Sequence, residues 1–147
     1  MKKASWILLT VLGVAITFFS LVSAVHAYRT GDDYGIGGLR VSKVSGGDAD
    51  VANALRGIRG TSAAFGAAYG VLFLAIVLGP YRRGEVWAWK ALLIAGLTHA
   101  VLVLLRIPLL GTQLGVSAAT TPIVTLVVGL LLDAGRLRGA GSRQTTD

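Results

Sequence analysis

Four long apolar stretches, almost free of charge, dominate this chain of 147 residues and decide what it can fold into. Ala4 to Tyr28, Gly60 to Tyr81 and Ile107 to Leu132 contain no Lys, Arg, Asp or Glu, and Val86 to Leu105 contains only Lys90. A helix rises about 1.5 Å per residue, so about 20 apolar residues cross a hydrocarbon layer of roughly 30 Å. Each stretch is long enough. The expectation is an all-α fold: a four-helix transmembrane bundle forming a single membrane domain over 1–147, with spans at about 4–28, 60–81, 86–106 and 111–132. One loop of about 30 residues, 29–59, would stand outside the cytoplasm.

The charges fall between the apolar spans. The net charge of +7 raises nucleic acid as a partner, but no basic stripe interleaved with aromatics is present, so none is expected. Charges beside spans orient the chain and meet anionic headgroups. Cysteine is absent, which excludes disulfides, thiolate metal sites and iron–sulfur ligation. No metal and no cofactor is expected, and the partner implied first is the lipid bilayer.

Basic residues cluster near span ends. Lys2, Lys3, Arg82, Arg83, Lys90, Arg136, Arg138 and Arg143 would share one side, eight in all, against Arg29, Arg40, Lys43, Arg56, Arg59 and Arg106, six, on the other. The positive-inside bias then places both termini in the cytoplasm of a multi-pass cell-membrane protein. A second reading treats Lys2-Lys3, the apolar run and Ala24-Val25-His26-Ala27 as a secretory signal cleaved after Ala27. Against it, the uncharged run is longer than a signal core. Thr10, Gly13, Thr17, Ser20 and Ser23 also recur along it as packing residues, as in a retained helix.

Within the loop, Thr30 to Gly38 is turn-forming, Leu39 to Val44 alternates like a short strand, and Ser45-Gly46-Gly47 makes a second turn. Asp48 or Asp50 can cap a helix starting near Val51 that runs into span 2, with Gly57 and Gly60 as weak points. Span 2 carries the GxxxG pair Gly66 and Gly70, and span 4 opens on Gly111 and Gly115 at the same spacing. Small residues let helices approach closely, either inside the bundle or, through Gly66 and Gly70, between copies in a homo-oligomer.

Pro80 and Gly84 are expected to stop span 2. Glu85, the only Glu, would sit at the positive end of span 3. Trp87 and Trp89 stand about 200° apart on a helix, one for the headgroups and one for the interior. The string Gly79-Pro-Tyr-Arg-Arg-Gly-Glu-Val-Trp-Ala-Trp-Lys90, with Ala54 to Gly60 entering span 2, resembles that of small prokaryotic membrane proteins of the DoxX-like group. The resemblance covers spans 2 and 3. It implies a four-helix bundle and transfers no catalytic residue. Sterol-isomerase-like proteins fit worse, because their chemistry uses acidic residues in the bundle and the four stretches hold none.

His99 is the one ionisable side chain near the centre of a span, with Arg106 seven residues later on the same face. A neutral imidazole turned inward is expected, since a polar group facing lipid is costly. Ser117, Thr121 and Thr125 form a stripe on span 4, where Pro122 frees the Ala118 carbonyl. His99, Arg106 and this stripe could line a ligand site. Arg29, Arg56, Arg59 and Arg106 could bind an anionic headgroup, since guanidinium groups grip phosphate bidentately. In both places the plainer reading is packing and interfacial anchoring.

These residues support a non-enzymatic membrane protein that binds lipid or a membrane partner. The competing readings are a small-molecule transporter or channel component, weakened by the missing intramembrane carboxylate, and an intramembrane enzyme using His99 on a lipophilic substrate.

Overall fold

The computed structural model describes residues 2–29, 33, 35–36, 39–111 and 116–135. The described chain is mostly helical. In order it forms α1 (Lys2–Tyr28), β1 (Gly35–Ile36), β2 (Leu39–Arg40), α2 (Val41–Ser45), α3 (Ala49–Ile76), a π-helical turn (Val77–Tyr81), α4 (Val86–Leu104), α5 (Arg106–Leu110) and α6 (Val116–Leu131). Among the described residues three helices are long and apolar enough to span a membrane: Ala4–Tyr28, Ala49–Tyr81 and Val86–Leu109. The expected fourth span is represented by α6, whose sixteen residues rise only about 24 Å. Gly111 does not open that span. It closes α5 in the left-handed conformation at φ 60°, while Gly115 lies outside the described residues.

The chain divides into two compact units, residues 1–13 with 72–147, and residues 14–71. In the second unit α1 and α3 run antiparallel against each other. A Cβ at Gly70 would strike Thr17, one at Gly66 would lie 2.5 Å from the Ser20 hydroxyl, and one at Gly60 would lie 2.5 Å from the Tyr28 ring. One residue number falls as the other rises, so the small residues of α3 meet those of α1. Close backbone approach supplies the van der Waals contact that lipid cannot drive.

Asp48 starts α3, accepting the backbone N–H groups of Asp50 at 2.8 Å and Val51 at 3.1 Å. The helix then passes through Gly57 and Gly60 unbroken and takes up about a third of the expected loop. The rest of the loop departs from expectation at Leu39 to Val44. Only Leu39–Arg40 is strand, paired antiparallel with Gly35–Ile36, and α2 follows at once. Asp33 explains the switch. Its carboxylate accepts the Ser42 N–H at 2.9 Å and the Ser42 hydroxyl at 2.8 Å, holding the first turn of α2. The Ser42 bonds, with Arg40 beside them, keep the Asp33 carboxyl below the usual carboxylate range. Gly46 and Gly47 then turn the chain at φ 61° and 91°.

In the first unit α4 packs on α6. Ala88, Leu92 and Gly96 recur on one face of α4 and are buried, and a Cβ at Gly96 would strike the Leu126 side chain. Leu126 and Leu130 of α6 are buried, and Trp89 donates its indole N–H to the Leu130 carbonyl at 3.1 Å. The early turns of α1 enter the same core through Ser5, Leu9 and Leu12. A Cβ on Gly129 would lie 2.5 Å from Leu9, and one on Gly13 would lie 2.7 Å from Leu74.

Pro80 breaks the helix as its sequence implies: Gly79, the residue before it, leaves helical geometry at φ −90°, ψ −105°, and the chain kinks there. A short second piece of helix follows the kink to Arg83. Gly84, at φ 95°, then turns the chain into α4.

Candidate functional site

His99 lies on α4 and is exposed, as are Arg106 at the start of α5 and Thr121 on α6. Thr125 donates its hydroxyl to the Thr121 carbonyl at 2.8 Å, a bond within its own helix, and the Ser117 side chain lies outside the described residues. The expectation that His99 faces the interior is corrected, and the reason is geometric. His99 is within about 60° of Ala88, Leu92 and Gly96 around the helix, in phase with the buried stripe. The contact that covers this stripe, Gly96 against Leu126, lies on the turn before His99. From there on His99, Leu102 and Arg106 continue the same stripe in the open.

Two of the three loop-side arginines have partners. Arg59 donates to the Ser23 hydroxyl at 3.0 Å and to the Gly35 carbonyl at 2.9 Å, tying α3 to α1 and to the β-hairpin. Arg56 reaches the Asn53 side chain at 3.5 Å. Arg29, just past α1, is exposed. Arg59 is thus a structural clamp at the charged end of the apolar part of α3.

Gly66 and Gly70 are also spoken for. Thr17 and Ser20 of the same chain stand in front of them. Glu85 accepts the Arg83 guanidinium at 3.1 Å and the Trp87 indole, so both its oxygens hold the turn together. Trp87 points outward and Trp89 inward, as their spacing requires.

The most built polar cluster was not singled out by the sequence. Ser5 and Tyr81 are fully buried, and their hydroxyls lie 2.6 Å apart. Ser5 donates to the Gly129 carbonyl at 2.7 Å, so its single proton is used and Tyr81 must donate to Ser5. Asp133, in the turn after α6, is buried too, 2% exposed. Arg82 stacks on the Trp6 ring at 4.8 Å, one residue from each member of the Ser5–Tyr81 pair. This chemistry locks α1, the π-turn and α6 together. A serine that is buried and already donating to a carbonyl is poorly placed as a nucleophile. Among the described residues no three His, Cys, Asp or Glu side chains gather closely enough to hold a metal ion.

Comparison with protein families, characterised proteins and solved structures found no match to this chain.

Proposed function

We propose that the chain is a four-span integral protein of the cell membrane, with both termini in the cytoplasm, that works without a catalytic centre by engaging lipid or another membrane protein through its outward faces. One observation carries this reading: the direction of the large apolar side chains. Phe18, Phe19, Phe65, Leu72, Ile94, Leu97 and Leu109 are each more than half exposed, and they lie along helices of spanning length. Water tolerates contiguous apolar patches of only a few hundred Å², whereas hydrocarbon accepts them freely.

In this reading α6 is the core of the fourth span, since Ile107 to Leu132 is free of charge. The basic clusters, eight residues against six, put the termini inside. Retention of α1 is supported by what it contributes: Leu9, Leu12 and Ser5 to a buried core, and Thr17 and Ser20 to the glycine face of α3. The DoxX-like character of the turn after α3 supports the bundle and adds no activity. Transport and lipid chemistry both call for His99 turned inward beside span 4, and its exposed position favours neither.

Alkaline carbonate should leave the protein in the membrane pellet. In this Cys-free chain, Lys43→Cys should react with an impermeant maleimide from outside, and Arg83→Cys only after permeabilisation. Labelling in the reverse order overturns the topology, and a mature N-terminus at Tyr28 overturns retention of α1.

A further inference from the structure

We infer that Arg82, stacked on Trp6, binds the phosphate of an anionic phospholipid in the cytoplasmic leaflet. The inference rests on the membrane-spanning reading above and names the lipid that such a protein engages. Arg82 is the first charge after the uncharged stretch Gly60 to Tyr81, and Trp6 is the third residue of the apolar helix Ala4–Tyr28. In the proposed topology both lie at the cytoplasmic interface, with Trp6 about 3 Å inside the start of its span. Indole rings settle at this level, beside the lipid headgroups.

The guanidinium is held in place from two directions. Tyr81, the residue before it, is fully buried and bonded to Ser5, the residue before Trp6, and Ser5 is bonded in turn to the Gly129 carbonyl. These bonds fix the backbone on both sides of the stacked pair. The Trp6 ring then covers one face of the guanidinium at 4.8 Å. Stacking uses that face and leaves the N–H donors, which lie in the guanidinium plane, at its edge. Among the described residues Arg82 makes no hydrogen bond and no ion pair, and it is exposed. Arg83 differs. It donates to Glu85 at 3.1 Å, and the other oxygen of that carboxylate is taken by Trp87.

A fixed positive charge with an open row of donors matches paired anionic oxygens, and phosphate supplies them in a bidentate fork. At this depth the phosphates belong to lipids. Ile7 and Val11 on α1, and Leu78 one turn before Arg82, are 49%, 60% and 46% exposed. Apolar surface therefore runs from the level of the guanidinium toward the bilayer centre, where acyl chains lie. A choline headgroup carries its own cation beside the phosphate, whereas a lipid of net negative charge leaves its phosphate for Arg82.

Native mass spectrometry of the full chain, taken from micelles holding equal amounts of phosphatidylglycerol and phosphatidylcholine, reads the preference directly. The protein should retain phosphatidylglycerol, and Arg82→Gln should weaken that retention about tenfold, the scale of a hydrogen bond to a charged group. Arg83→Gln removes the same charge one residue away and should leave retention intact. Trp6→Leu keeps the charge but frees the guanidinium, and should fall between the two. An excess of inorganic phosphate should not displace the lipid, since it has no chain to lay on Ile7 and Val11. Equal losses for Arg82→Gln and Arg83→Gln, indifference to Trp6→Leu, or displacement by inorganic phosphate overturns the inference in a protein that alkaline carbonate leaves in the pellet. Release by carbonate overturns the membrane reading, and the lipid site with it.

Discussion

Ser5 shows how much one small side chain can hold. Its hydroxyl is shared between Tyr81 and the Gly129 carbonyl, and all of it is shielded from solvent. Ser5→Ala removes the donor to the buried Gly129 carbonyl and the acceptor of the Tyr81 hydroxyl, which should cost about 1–3 kcal/mol in detergent thermal unfolding. Tyr81→Phe removes one partner and should cost less. The double variant should cost less than the sum of the two, because both changes remove the same Ser5–Tyr81 bond. At the solvated end, Asp33 makes a pH prediction with a definite sign. Its carboxyl is held below the usual range by Ser42, so its contribution is present above that range and lost as pH falls through the folded value. Protection of the Ser42 amide against exchange should persist at about pH 5 and fade only below about pH 4.

At the scale of elements, the glycines of α3 are contact residues and the leucines beside them are not. Gly70→Leu and Gly66→Leu push a side chain into Thr17 and Ser20 and should lower detergent stability by several degrees. Leu72→Ala, at a position 65% exposed, should change it little. Equal stability across the three would mean that the glycine face is not a packing face. This pairing was legible in the sequence, because GxxxG and the Gly13, Thr17, Ser20 spacing are local patterns. So was the Asp48 cap. The break at Gly79-Pro80 was legible too, since a proline disfavours helical geometry in the residue before it. The Ser5–Tyr81 bond was not. It joins residues at the ends of two stretches, and only the register of Gly13 against Leu74, carried two turns further along each helix, brings them face to face. His99 was read in the right phase and the wrong environment. Periodicity reports which side a residue is on and is silent about how closely a neighbouring helix stays against it.

For the whole molecule, the consequential feature is the length of α3. Ala49–Ile76 is 28 residues, about 42 Å, well beyond a hydrocarbon layer of about 30 Å. Only from Gly60 onward is it free of charge. Arg59 bounds that part, held in place by Ser23 and Gly35. With this guanidinium tied into the fold, α3 acts as a gauge of bilayer thickness. In thin bilayers it must tilt, in thick ones the lipid must thin around it, and the protein should gather where acyl chains match its charge-free stretch.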